Sequence, residues 1–374
     1  MRATTYARWQ AVHTWSSLVS TVLLLLLCLT GLPLIFSHEI DHLSGNAIAL
    51  PEAAAPHARA NLDAIVADAR ARRPGEAVRF ATHDDEDPLW FIALGAEPGR
   101  GPTTALLTYD ARSGALLRDT PLRQGFMWLM VRLHTDLFAG LAGALLLGAM
   151  GLLLAAALVS GVVVYGRTMR KLDFGTVRHG RSRRLRWWDL HNLTGIATLV
   201  WLLVVGLTGT LLTLAKPVYA LWQEQAIHAG AASPAAASAT QPAAAPAGVQ
   251  AVLSTALAHA PGKTVAFIAF PGTRWAPADR YVVFLRGDSA VTARIIEPVF
   301  VDAKTARFVA MKAMPGYVFA LRISGPLHFG DYGGLPMKLA WAAFDIVAIV
   351  VLGSGLYLWW GRRAQARGRH GTPH

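Results

Sequence analysis

A single cysteine, Cys28, occurs in 374 residues. One thiol excludes intrachain disulfides, cysteine-rich metal sites and iron–sulfur clusters, and no Cys-x-x-Cys-His run is present for covalent haem attachment. Charge is scarce too: 16% of residues are charged against 53% hydrophobic, with a mean hydropathy of +0.37. That balance is unlike an ordinary soluble enzyme. No glycine-rich nicotinamide or flavin fingerprint is visible, so a redox role would need a separate electron donor.

Long apolar runs are abundant. Four are long enough to cross a hydrocarbon core: Ala11 to Phe36, Thr135 to Tyr165, Leu190 to Leu214 and Leu335 to Trp360. The first follows Arg2 and Arg8, as a secretory signal would, but continues to Phe36 without a small-residue cleavage site, and it reads as a retained anchor. Acids number 23 against 35 Lys+Arg, a net charge of +12. The N-terminus, the Gly166 to Asp189 connection and the tail after Trp360 hold 14 of those cations and only two acids, Asp173 and Asp189; the remainder holds 21 of each. The excess therefore lies on one face, which the positive-inside rule assigns to the cytoplasm. Anionic lipid accounts for this basic character, and no nucleic-acid partner is expected.

The chain repeats itself. RWWDLHNLTGIATLVWLLVVGLTG from Arg186 overlies RWQAVHTWSSLVSTVLLLLLCLTG from Arg8, aligning His191 with His13 and Thr208-Gly209 with Thr30-Gly31. In the other pair of apolar runs, Leu327-His328 aligns with Leu133-His134, and Ser354-Gly355 with Ser160-Gly161. Two copies of one helix, domain, helix unit are implied. Between the spans of the first copy come an Ala/Pro stretch from Ala47 to Ala60, a helical pattern from Ala60 to Arg73, and alternating runs at Ala77 to Ala81, Leu89 to Leu94 and Thr104 to Tyr109. These end in TYDARSGALLRD. In the second copy a low-complexity linker, Ala229 to Gly248, precedes a helix from Val249 to His259 and runs at Thr264 to Phe270, Arg280 to Arg286 and Ala293 to Val301. Ala306 stands where the first copy has Gly114, so the second turn is expected to differ in backbone geometry.

A small helix-plus-strands unit ending in Asp-x-x-Ser/Thr-Gly, set between spans that begin with histidine and contain Leu-Thr-Gly, resembles the PepSY-associated transmembrane family. The duplicated form resembles bacterial inner-membrane ferrisiderophore reductases of the FoxB type. The expected fold is an α-helical membrane protein: a four-transmembrane-helix bundle with two periplasmic α+β PepSY-like domains and internal duplication. Its expected boundaries are the N-terminus and first span at 1–38, the first periplasmic domain at 39–131, the second span at 132–166 and a basic cytoplasmic loop at 167–188. The third span follows at 189–216, the second periplasmic domain with its linker at 217–326, the fourth span at 327–361 and a basic cytoplasmic tail at 362–374.

Histidine at the end of a spanning helix is costly unless paired. A lone one more often snorkels or bonds a neighbouring helix, but these come as matched pairs: His13 with His191 on the cytoplasmic side, and His134 with His328 on the outer side. Equivalent imidazoles facing each other across a pseudo-two-fold axis can supply both axial positions of a haem iron, and two b-type haems are expected, one per pair. Zinc fits less well, because neither pair is accompanied in sequence by cysteine or carboxylate ligands. Counting along straight helices from His134 to Tyr165 and from His13 to Ser37 puts the sites near opposite faces. His38 is an alternative outer ligand, although its repeat partner is Lys216. Arg8, Arg186, Arg132 and Arg322 are placed to meet haem propionates, with positive-inside flanking an equal reading for the first two. Asp345, within the fourth span, is a possible second-shell or proton-linked group wanting an imidazole N–H, a water chain or Trp341 as its partner. Trp201 lies mid-span, where packing is its expected role. The small-residue patterns at Gly140 to Gly143, Gly148 to Gly151 and Gly353 to Gly355 are expected to let helices approach closely or to leave room for a macrocycle.

The resemblance implies a vectorial path: an unidentified quinol or cytoplasmic reductase donates electrons, and a ferric siderophore in the periplasm is reduced, releasing ferrous iron. Hard oxygen ligands suit ferric iron, so reduction weakens the chelate. A quinone-linked di-haem protein with another periplasmic acceptor and a haem-free PepSY interaction module remain alternatives. A transporter is disfavoured by four spans, parallel repeats and the absence of a visible helix break beyond Pro33 and Pro336.

Overall fold

The structure is a computed structural model that describes residues 2–45, 48–51, 59–84, 87–99, 101–169, 173–179, 181–231, 247–288 and 292–370. Most of both Ala/Pro stretches, part of the basic loop at 170–172 and 180, and the tail from 371 lie outside those residues. In chain order the elements are α1 (Ala3–Ile35), α2 (Ser37–Leu43), α3 (Leu62–Arg72), β1 (Ala77–His83), β2 (Leu89–Gly95), β3 (Ala105–Asp110), β4 (Leu116–Asp119), α4 (Phe126–Thr135), α5 (Gly140–Thr168), α6 (Arg183–Ala197), α7 (Leu199–Thr213) and α8 (Ala215–Ala231). They continue with α9 (Val249–Ala258), β5 (Thr264–Ala269), β6 (Arg280–Arg286), β7 (Ile296–Asp302), β8 (Phe308–Met311), α10 (Gly316–Phe329) and α11 (Gly334–His370). The chain divides into a helical unit, 1–42 with 125–215 and 323–374, and a sheet unit, 43–124 with 216–322.

In the helical unit, α1 packs on α4, α5 and α11, α5 on α7, and α6 on α11. Three helices, including α1 and α5, are long and apolar enough to cross a membrane; the third spans Asp331 to Gly361. Polar residues inside α1 bond their own helix. Ser16, Ser20 and Thr30 donate to the carbonyls of Val12, Ser16 and Leu26 at 2.7, 2.9 and 2.7 Å, which spares them partners that hydrocarbon cannot provide. Glycine does bring helices together here: a Cβ on Gly148 or Gly151 of α5 would stand 2.6 or 2.3 Å from a threonine hydroxyl of α7.

Three straight spans expected from the sequence are broken. The second stops at Thr135 and restarts at Gly140, across Leu137 and Phe138 at φ of 53° and 61°. Buried Asp136 holds this corner: it pairs with Arg132 at 2.6 Å, its Oδ1 accepts from Phe138 N at 3.2 Å, and its carbonyl lies where a Cβ on Gly143 would fall. The fourth breaks between Phe329 and Gly334, at Gly330 and Gly334 with φ of 69° and 60°. The third bends by 63° between α6 and α7, with Thr198 at the junction and neither glycine nor proline to announce it. Only the bend at Thr198 lies inside a continuous apolar run; the other two breaks fall beside Asp136 and in the Gly-Asp-Tyr-Gly-Gly stretch from Gly330, at the edges of the apolar runs.

The sheet unit corrects the expectation of two separate domains. Its eight strands form one antiparallel sheet in the order β4-β3-β2-β1-β5-β6-β7-β8. Two four-stranded meanders join edge to edge through Phe80 opposite Ala269, Ala81 opposite Ile268 and Thr82 opposite Phe267. Each meander covers the other's open edge, which no strand pattern within one copy reveals. One core serves both: Leu62, Ile65, Val252 and Leu253 of α3 and α9 pack with Ile92, Leu107, Val283 and Val299 of the sheet. The opposite face carries an aromatic cluster around Trp222, Trp275, Phe267 and Phe284. The strands otherwise fall close to their expected runs.

The two Asp-x-x-Ser/Thr turns do not differ as expected. Ala306 adopts φ of 51° where Gly114 has 77°. Gly114 N donates to the Asp110 carbonyl at 2.8 Å, and Ala306 N to that of Asp302 at 3.0 Å. The Asp302 carboxylate, accepting from Lys304 N and Thr305 N at 3.0 and 2.8 Å, holds the alanine in the left-handed region.

Candidate functional site

The helical unit brings the four expected histidines together in the two expected pairs. His13 and His191 have ring centroids 6.4 Å apart, and His134 and His328 have theirs 6.0 Å apart. Imidazoles bound from opposite sides to one metal ion need a metal–nitrogen bond of about 2 Å and roughly 1 Å from nitrogen to ring centre on each side, placing the centroids about 6 Å apart.

All four rings are seated alike. His13 Nδ1 lies 2.8 Å from the Ala157 carbonyl, His191 Nδ1 3.1 Å from that of Val351, and His328 Nδ1 2.9 Å from that of Val205. His134 Nδ1 lies 3.0 Å from Thr30 Oγ1, whose own proton goes to the Leu26 carbonyl. Each of these partners can only accept, so each Nδ1 carries the proton and the lone pair is on Nε2. A neutral imidazole oriented through Nδ1–H is what a metal ligand requires. Among the described residues no group of three or more His, Cys, Asp or Glu side chains is assembled, and each pair brings two imidazoles together.

The repeated Ser/Thr-Gly dipeptides are the seats, a role the sequence reading missed. A Cβ on Gly161 would stand 3.1 Å from His13 Cε1, on Gly31 3.1 Å from His134, on Gly209 2.8 Å from His328, and on Gly355 3.5 Å from His191. Each ring brings its Cε1–Nδ1 edge against a helix that glycine leaves bare, and the preceding Ser160, Thr30, Thr208 or Ser354 is buried. The signal was in the sequence, since these dipeptides keep the same repeat offsets as the histidines. Of the small-residue patterns, Gly353 to Gly355 places Gly355 against the His191 ring, and Gly140 to Gly143 packs Gly143 on the Asp136 corner.

The outer histidines do not begin spans. His134 lies in the last turn of α4 and His328 in that of α10, each just before a break. The separation of the two pairs is therefore measured along α1, where about 27 Å of helix lies between His13 and Gly31, the seat of His134.

The remaining candidates sort by contact. His38 packs on His42, with centroids 4.9 Å apart. Arg132 is held by Asp136 and lies 5.6 Å from the Phe138 ring centre. Arg186 donates to the His179 carbonyl at 3.2 Å, and Arg8 is exposed. Arg322 belongs to the sheet unit. Asp189, counted in the sequence only as an acid, is fully buried two residues before His191 and holds Arg178 through both oxygens, at 2.5 and 3.0 Å. Trp341 is not the partner of Asp345: its N–H goes to the His328 carbonyl at 3.2 Å. Cys28 is the polar neighbour of that carboxyl, and Asp345 Oδ2 has no hydrogen-bond partner among the described residues. Trp201 packs, stacking on Phe344 with centroids 5.7 Å apart.

Similarity to known proteins is consistent with a membrane protein of this kind. The chain is 27% identical over 260 residues to "Uncharacterized protein PA4219" of Pseudomonas aeruginosa, an alignment covering 64% of each, so it spans under two thirds of that relative's length. The profile of the PepSY-associated TM region matches residues 10–362, nearly the whole chain, and the protein belongs to that family.

Proposed function

We propose that this chain is a di-haem electron carrier of the bacterial inner membrane that reduces ferric siderophore in the periplasm, releasing ferrous iron. The observation that supports it most is the set of four histidines, each set against a glycine with Nδ1 hydrogen-bonded to a neighbouring helix, and paired at a separation that suits a shared metal ion. In this reading α6 and α7 together make a fourth, bent span, the two halves are duplicated copies, and both termini are cytoplasmic. His13 and His191 would hold one b-type haem and His134 and His328 the other. When bound, each haem supplies a one-electron couple, and its potential follows the axial ligands and their surroundings.

The chain's own residues do the rest. The helix carbonyls opposite Nδ1 of His13, His191 and His328, and the Thr30 hydroxyl opposite that of His134, fix the ring planes and strengthen Nε2 as a donor. The seating glycines hold the rings against the helices, and the apolar bundle keeps water from the sites. Arg8 and Arg186, both exposed, are the candidates to meet propionates at the inner pair, while Arg132 serves Asp136. A quinol or a cytoplasmic reductase is the donor class.

The test is a reduced-minus-oxidised visible spectrum with pyridine haemochrome quantitation on detergent-purified protein. About two low-spin b haems per chain are expected, with one site lost in His13→Ala or His191→Ala and the other in His134→Ala or His328→Ala. A colourless, stably folded protein after expression with ample haem would overturn the reading in favour of a PepSY interaction module.

A further inference from the structure

The sheet unit contains a second constellation, unrelated to the histidines. Strand β1 carries a bulge: Val78 pairs with Leu94 and Phe80 with Ala93, so Arg79 is the extra residue. The second copy bulges at the corresponding place in β5, between Val265 and Phe267, but its extra residue is Ala266. A bulge turns its residue away from the ladder and recurs beside functional sites. Here it sends a guanidinium along the strand ends, past Gly95, where a Cβ would stand 2.9 Å from Arg79 Cδ. Arg79 is 5% exposed, and its Nε and Nη1 donate to the carbonyls of Pro98 and Gly101 at 3.0 and 2.9 Å. Those carbonyls satisfy N–H groups but do not balance the charge. Among the described residues no carboxylate pairs with it.

A second cation stands beside it. Burial, and then the charge of Arg79, push the Arg274 guanidinium below its ordinary pKa. The loops bearing the two groups are in backbone contact, since a Cβ on Gly99 would fall 2.6 Å from the Gly272 carbonyl. Arg274 is exposed and lies 5.3 Å from the ring centre of half-buried Trp275. Trp275 is fixed from behind by Trp222, Phe267 and Phe284, at centroid distances of 6.2, 6.4 and 5.9 Å. Two neighbouring guanidiniums, one of them buried and neither paired with a carboxylate among the described residues, leave an excess of positive charge that favours an anion. The rigid indole beside them favours an anion carried on a flat ring.

We infer that Arg79, Arg274 and Trp275 form a binding site for an aromatic oxyanion of the aryl carboxylate class. The oxyanion takes hydrogen bonds from the guanidiniums while the ring packs on Trp275. As the docking subsite of an anionic chelate the inference rests on the proposed reductase reading; as an anion site it stands on the sheet unit alone.

Isothermal titration calorimetry of the full chain in detergent, with benzoate, acetate and phosphate as probes, tests it. Benzoate is expected to bind saturably, acetate and phosphate about tenfold more weakly for want of ring contact, and added salt to weaken all three. Arg274→Gln, at an exposed position, is expected to weaken benzoate by about tenfold without altering thermal unfolding, and Trp275→Leu to weaken it by about tenfold while lowering the unfolding midpoint, because the indole also packs on Trp222, Phe267 and Phe284. Arg79→Lys, which keeps the charge but loses the fork, is expected to weaken it too. Absence of saturable benzoate binding, or binding unchanged in both the Arg274 and Trp275 variants, would overturn the site. Phosphate bound as tightly as benzoate would overturn the aromatic class. Haem content measured on the same samples separates the two ideas: benzoate binding in a haem-free preparation supports the site while removing the reductase.

Discussion

At the scale of single residues, four chemically identical glycines differ by a few tenths of an ångström in what they allow. A methyl on Gly209 would sit 2.8 Å from His328 Cε1, whereas one on Gly355 would sit 3.5 Å from His191, an ordinary contact. Gly209→Ala is therefore expected to push the His328 ring off its seat, cost about 1–3 kcal/mol in overpacking and, on the proposed di-haem reading, lose the haem of the His134–His328 pair. Gly355→Ala should retain both haems. Haem quantitation on the two variants checks this; equal loss or equal retention would show that these seats do not govern ligation. Titration offers a second test in the sheet unit. The hydrogen bond from the Arg112 side chain is the main cause holding the Asp110 carboxyl below its ordinary value of 3.8. A carboxyl lowered in the folded state stabilises it fully above the unfolded value and loses that contribution as pH falls through the folded one. Thermal unfolding followed from about pH 6 to about pH 3 should show Asp110→Asn with a shallower acid decline than the parent.

At the scale of elements, the strands and the α3 and α9 helices were legible because alternation and helical periodicity mark them directly. The helix breaks were not. Asp136 looks like a loop acid after His134, yet it is the buried corner of a turn whose left-handed residues are Leu137 and Phe138, side chains that give no turn signal. The bend at Thr198 is equally silent. Such breaks follow from what the helices pack against, and the outer histidines consequently end α4 and α10 instead of beginning the spans. The turn at Ala306 is a further case, where substitution suggested altered geometry and the Asp302 carboxylate maintained the original. Ala306→Gly is expected to stabilise the sheet unit by about 1 kcal/mol, because glycine removes the left-handed penalty that alanine carries. A fall in the unfolding midpoint would contradict that account of the turn.

At the scale of the whole molecule, the pairing of the histidines was legible because similar sequence segments align His13 with His191 and His134 with His328, and the aligned residues meet. The joined sheet was not, since a strand edge carries no mark of its partner. The two observations describe one principle of construction. His13 is seated by Gly161 and His134 by Gly31, both within the first copy; His191 and His328 are seated by Gly355 and Gly209 within the second. Each pair, and the β1 to β5 junction, crosses between copies. If the chain is cut in the basic loop, neither half expressed alone should retain haem, and co-expression of both should restore it. Haem bound by either half alone would overturn the cross-copy pairing.

A chain holding one copy could complete such pairs only by meeting a second copy of itself, and every change to it would then appear twice. Tethering the copies in one polypeptide removes that restriction. Arg79 and Ala266 occupy matching bulges in matching strands: one copy was free to place a charge where the other kept a methyl, while both went on supplying their share of the histidines.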